Sequence, residues 1–153
     1  MVRKDKNMIE ISGSGKNKKA LVNEAATFFI KELMPRMKTL TINIKLNPHF
    51  RDNTDSYGDC LWSETYYRPR EFDMNLDSSD TDIMIKTLAH EMVHVKQWAR
   101  EELKDFGDYH KSRWKKTLVD NRKTKYDDLP WEIEAHDLEE KLYDKWLNYI
   151  NRR

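Results

Sequence analysis

Cysteine is nearly missing from this chain: Cys60 is the one thiol among 153 residues. A single cysteine excludes an intrachain disulfide and favours a reducing, cytosolic setting. Net charge is nearly missing too, at +1, so the overall balance argues neither for nor against a polyanionic partner. No apolar run is long enough to span a bilayer, and no signal-peptide pattern opens the chain; a cytoplasmic protein without a membrane role is expected. Internal repeats and low-complexity segments are absent. Glycine and proline are scarce, four of each, which gives each one positional meaning. Ser12-Gly13-Ser14-Gly15 marks a loop, Pro35 ends a helix, Asn47-Pro48 closes a strand and Pro130 opens a helix.

What the chain has in quantity is charge and aromatic side chains. Charged residues make up 36%, beside five Trp, seven Tyr and five Phe. That combination implies a small globule with an aromatic-rich core and a charged surface. One domain is the default at this length, spanning 17–153 and preceded by a tail or short segment at 1–16. Basic residues gather at both ends, at Arg3, Lys4, Lys6, Lys16, Lys18 and Lys19 and again at Arg152 and Arg153. They read as solvated tails before they read as a nucleic-acid contact.

From Lys18 to Met34, Leu21, Val22, Ala25, Phe28, Phe29 and Leu33 recur at helical spacing. Leu40, Ile42, Ile44 and Leu46 alternate with polar residues, the pattern of a half-buried strand. Residues 51–60 read as a loop or turn, and Leu61–Tyr67 and Phe72–Leu76 as two further strands. Ser78-Ser79-Asp80-Thr81-Asp82 supplies capping residues and early acids for a long helix over about 81–103. Residues 104–128 are weakly patterned, with a short helix expected around Lys111–Leu118. A last helix runs from Pro130 to Ile150, with Trp131, Ala135, Leu138, Leu142, Trp146 and Tyr149 as its buried stripe. The order of elements predicts a small α+β domain with a short sheet.

The chemistry-bearing stretch is His90-Glu91-Met92-Val93-His94, an HExxH pattern inside the long helix. Residues four apart share one helical face, with β-carbons about 6 Å apart, so both imidazoles can reach one ion. The intervening glutamate is placed to take a proton from a water that the metal activates, which is the core of a zinc hydrolase. Ile85, Leu88, Ala89, Met92, Val93 and Val95 surround the motif. In so apolar a setting, two histidines and a glutamate need a partner to offset their desolvation, and a metal supplies one. A catalytic zinc takes three protein ligands. Two candidates present themselves for the third: His110, in Tyr109-His110-Lys111-Ser112-Arg113-Trp114, and Glu132, in Pro130-Trp131-Glu132-Ile133-Glu134-Ala135. Glu132 and Glu134 both fall at the edges of the apolar stripe, so periodicity leaves the choice open.

The stretch Thr87 to Gln97, reading TLAHEMVHVKQ, resembles the active-site helix of the SprT-like metallopeptidases, the group that includes the Spartan proteases. Gly58-Asp59-Cys60 and Phe72–Leu76 are similar to that group's lead-in. His110 with Trp114 is similar to its His-x-x-x-Phe pattern, in which the histidine is a ligand. The segment Pro130–Ala135 is similar to small bacteriophage-encoded members, and to the Glu-x-x-Ala element of gluzincin-type peptidases, where the glutamate binds zinc. The resemblance covers about residues 40–140 and is most specific at 87–97 and 130–135. No glycine follows His110, a departure from the SprT pattern, so Glu132 is favoured over His110, with Glu134 third.

The resemblance implies a zincin-like, zinc-dependent metallopeptidase with one Zn2+ held by His90, His94 and either Glu132 or His110. Glu91 is the expected general base, and Tyr109 or Tyr126 can steady an oxyanion. A protein or peptide is the expected substrate, in the cytoplasm (the host's, for a phage-encoded chain). The alternatives are a catalytically silent zinc-binding module and a DNA-associated one; the net charge lends the latter no support.

Overall fold

The computed structural model describes residues 6–13, 15–62, 69–105 and 111–152. They form a mixed α+β fold. A four-stranded sheet contains β1 (Met8–Ser12), β2 (Thr41–Asn47), β3 (Gly58–Trp62) and β4 (Glu71–Asp77), in the order β1-β2-β4-β3. Four helices accompany it: α1 (Lys16–Leu33), the short α2 (Phe50–Thr54), α3 (Thr81–Ala99) and α4 (Pro130–Asn151). β1, β2 and β4 run parallel, and β3 returns antiparallel along the outer side of β4. The short segment expected before residue 17 is therefore a strand of the main sheet. Parallel neighbours need a crossover, and α1 supplies it between β1 and β2.

Register explains which face is buried. Ile9, Ile42 and Phe72 lie side by side, as do Ile11, Ile44 and Met74. The intervening rows, Glu10–Asn43–Asp73 and Ser12–Lys45–Asn75, fall on the opposite, polar face. Alternation has put one apolar face under the helices and left the other to solvent. Val22, Ala25, Ala26 and Phe29 of α1 share one core with Met84, Leu88, Met92 and Val95 of α3. Ala135, Leu142 and Trp146 of α4 belong to the same core, which fixes α4 alongside α3. Each fully buried Val, Leu, Met or Phe among them contributes roughly 1.5–3 kcal/mol.

Local chemistry sets the ends of α3. Asp80 caps its start, its side chain accepting from the Ile83 N–H at 3.0 Å. Its end comes earlier than the expected residue 103, at Ala99, because Glu101 turns left-handed with φ 57°. The Glu102 N–H then closes back onto the Gln97 carbonyl at 2.8 Å, and the chain leaves as β5 (Leu103–Asp105). Leu103 is more favourable buried against Leu129 and Trp131 than exposed on another helical turn.

The expected helix around Lys111–Leu118 is instead a hairpin, β6 (Lys111–Trp114) and β7 (Thr117–Asp120), turning at Lys115 with φ 54°. It completes a three-stranded antiparallel sheet with β5. Ser112 is buried while Lys111 and Arg113 face solvent, a period of two too short to outweigh helical propensity when read from sequence. Residues 51–54, expected as loop, belong to α2, and the strand expected at Leu61–Tyr67 begins earlier, at Gly58. Residues 63–67 of that expectation lie outside the described residues. Among the described residues no helix is long and apolar enough to cross a membrane.

Candidate metal centre

α3 presents His90 and His94 one turn apart, their ring centroids separated by 5.0 Å. The first turn of α4 brings Glu132 against both. Its Oε1 lies 3.2 Å from His90 Nε2 and its Oε2 lies 3.1 Å from His94 Nε2. Glu132 is placed there by its neighbours: Pro130 occupies the first turn of α4, and Leu129 and Trp131 are buried with Leu103 in a small second core. Two imidazole nitrogens and a carboxylate oxygen, all within 4.8 Å of one another, make a group that could hold a metal ion. The donor set, two imidazoles and one carboxylate, is one that binds divalent transition metals.

Without an ion the cluster is held by protons. Burial disfavours the charged form of His90, but hydrogen bonds to Glu132 and Glu139 and the charge of Glu91 outweigh it and push its pKa up to about 10. His94 moves the same way: burial opposes, and the bond to Glu132 and the Glu91 charge prevail. Burial would raise the pKa of Glu132, yet the two imidazoles hold it far below the usual carboxylate range. A metal ion would replace those protons as the positive charge that Glu132 faces.

Glu91 points into a cleft of about 320 Å³ that His94 and Glu132 also line. Only 7% of it is exposed. Burial raises its pKa, against the pull of His94 and His90 and with help from Glu132 and Asp59. A carboxylate with a raised pKa is a better proton acceptor than an ordinary one. Asp59, Cys60 and Trp62 from β3 form one wall of the cleft, and Trp98, Leu103 and Trp131 contribute apolar surface. Trp62 stacks on Trp98 with centroids 3.9 Å apart. Burial, reinforced by the carboxylates of Glu91, Asp59 and Asp73, keeps the Cys60 thiol protonated, which removes it as a nucleophile. Tyr126 lines the cleft from the 3-10 turn before α4, and its hydroxyl donates to Glu132. Partial burial and that carboxylate raise its pKa, so it stays a protonated donor.

Of the residues read from the sequence, His90, His94 and Glu132 converge, and Glu91 and Tyr126 share their cleft. His110 and Tyr109 lie outside the described residues. Glu134 is turned away from the imidazoles, toward Lys96 Nζ at 2.8 Å and the Gln97 amide at 3.2 Å. Three participants escaped the sequence reading. Gln97 Oε1 lies 2.8 Å from His94 Nδ1, and Glu139 Oε1 lies 2.9 Å from His90 Nδ1. His136, with His90 and Glu139, forms a second, more exposed group that could hold a cation. The available signal was spacing: Gln97 follows His94 by three positions on α3, and Glu139 follows Glu132 by seven, two turns along one face of α4.

Comparison with known proteins returned nothing: no family model, no curated protein and no solved structure matches the chain.

Proposed function

We propose that the protein is a zinc-dependent metallopeptidase with a zincin-like fold, in which His90, His94 and Glu132 hold one Zn2+. The observation that carries this reading is the convergence of both Nε2 atoms on the carboxylate of Glu132, with Glu91 in the same cleft. When bound, zinc supplies Lewis acidity, polarising a carbonyl and making a nearby water acidic enough to attack near neutral pH. Glu91 takes the proton of the attacking water and returns it to the leaving amine nitrogen. The Tyr126 O–H, once it turns from Glu132 toward the substrate, is a donor for the negative charge that develops on the carbonyl oxygen.

A peptide, rather than another hydrolysable group, is favoured by β3. It is the terminal strand of the sheet, its outer edge has no strand partner among the described residues, and its residues line the cleft. An extended peptide can add to such an edge through backbone hydrogen bonds.

The test is Glu91→Gln, assayed for bound metal and for hydrolysis of unstructured protein substrates. The expected variant keeps its zinc by elemental analysis and loses activity by about 10²–10⁴-fold, the usual worth of a general base. Equal hydrolysis by the two proteins would remove Glu91 from the chemistry. Absence of metal from the wild-type protein after equilibration with zinc would remove the reading itself.

A further inference from the structure

We infer that Glu139 is a positioning residue for His90, as Gln97 is for His94, so that α4 provides the third donor and also controls how the other two are aimed. The inference rests on the metal reading above and adds to it the groups that hold the imidazoles.

A neutral imidazole has one proton and one lone pair. Both Nε2 atoms face Glu132, so both lone pairs must lie there when a cation is bound, and each Nδ1 must carry the proton. Each Nδ1–H then needs an acceptor, and each has one. His90 meets a carboxylate, Glu139 Oε1, at 2.9 Å, and His94 meets an amide oxygen, Gln97 Oε1, at 2.8 Å.

The orientation of the Gln97 amide is itself dictated. Gln97 is fully buried, and its Nε2 donates to the Trp131 carbonyl at 2.9 Å and to Glu134 Oε1 at 3.2 Å. Both of those are acceptors, so a flipped amide would set oxygen against oxygen on that side and leave His94 facing an N–H. The Trp131 carbonyl, one residue before Glu132, thus selects the ring tautomer of His94. The two orienting groups differ in charge. A carboxylate on Nδ1 raises the basicity of the opposite nitrogen more than an amide does, which makes His90 the stronger donor.

The competing account makes Glu139 a ligand of a second ion with His90 and His136. His90 would then bridge two cations through both ring nitrogens, having lost both ring protons. His136 Nδ1 stands 3.9 Å from Glu139 Oε1 and its side chain is 56% exposed, so that group is loose as well as costly.

The experiment measures zinc affinity and stoichiometry by competition with a chromophoric chelator for wild type, Glu139→Gln and Glu139→Ala, with circular dichroism of each metal-free protein. Glu139 is at the edge of the site, so both variants are expected to fold. Affinity is expected to fall about 10–100-fold in Glu139→Ala and less in Glu139→Gln, which keeps an acceptor, at one ion per chain throughout. Nitrogen NMR of the zinc-loaded wild type reads the tautomers directly: both imidazoles are expected to carry their proton on Nδ1. Affinities within twofold of wild type in both variants, a second ion lost with Glu139, or metallation through either Nδ1 would each overturn the inference. Wild type without zinc would overturn it together with the metal reading, whereas a zinc-binding wild type with unaffected variants removes the inference alone.

Discussion

At the scale of the residue, a cation entering the site would compete with protons for the same nitrogens. His90 holds its proton up to about pH 10 in the metal-free protein, so at neutral pH a metal must displace it. Zinc binding is therefore expected to release about one proton or more per ion at pH 7, and affinity should weaken as pH falls. Calorimetric titration in buffers of different ionisation enthalpy measures the release; no buffer dependence would place the ion elsewhere. The metal-free fold carries the opposite dependence. A pKa raised from 6.5 to about 10 means that the contribution of protonated His90 is fully present below pH 6.5 and lost as pH rises through 10. Glu132, shifted the other way, contributes above its ordinary 4.5 and loses that contribution only in strong acid. His90, Glu91 and His94 were legible in the sequence because spacing along one helix is local geometry. Gln97 and Glu139 were not, because their roles depend on how α3 meets α4, and 49 positions separate His90 from Glu139.

At the scale of the element, the approach of β3 to α3 shapes the cleft, and Gly58 permits it. A β-carbon at Gly58 would stand 2.6 Å from Thr87 Cγ2 and 2.8 Å from the Asn75 carbonyl oxygen, three residues from His90 and beside β4. The backbone oxygen cannot yield as a flexible side chain would. Gly58→Ala is therefore expected to lift β3 from α3 and cost about 1–3 kcal/mol, read from chemical denaturation. Unchanged stability would mean that the strand end adjusts freely. The long elements were readable for a physical reason: α1, α3, α4, β2 and β4 each bury a face whose period repeats often enough to exceed noise. The β6–β7 hairpin was not, since four residues of alternation cannot outweigh helical propensity, and its pairing with β5 is not written locally. Gly13 shows the same limit. It sits at φ 112° where a β-carbon would meet the Leu46 carbonyl oxygen at 2.3 Å, a long-range constraint that a Gly/Ser run announces only as a loop.

At the scale of the whole molecule, the candidate metal group joins two elements that the chain brings together late. α3 supplies two of the candidate donors and α4 the third, with the three strands of the small antiparallel sheet and the 3-10 turn between them in sequence. Packing already docks the helices, through Ala135, Leu142 and Trp146 against the common core, so the fold does not depend on an ion to bring Glu132 to the histidines. An ion that binds only the docked arrangement must nonetheless stabilise it, by about 2.7 kcal/mol at a hundred times the dissociation constant and about 4.1 at a thousand. The melting temperature is therefore expected to climb with the logarithm of free zinc and to fall back on chelation, with the metal-free protein still folded. Glu132→Ala supplies the control. It removes the carboxylate that α4 contributes and leaves the apolar contacts of that helix in place, so it should fold and show little zinc dependence. A melting temperature that still climbs with zinc in Glu132→Ala would mean that the third donor comes from another part of the chain, and α4 would then be a packing helix alone.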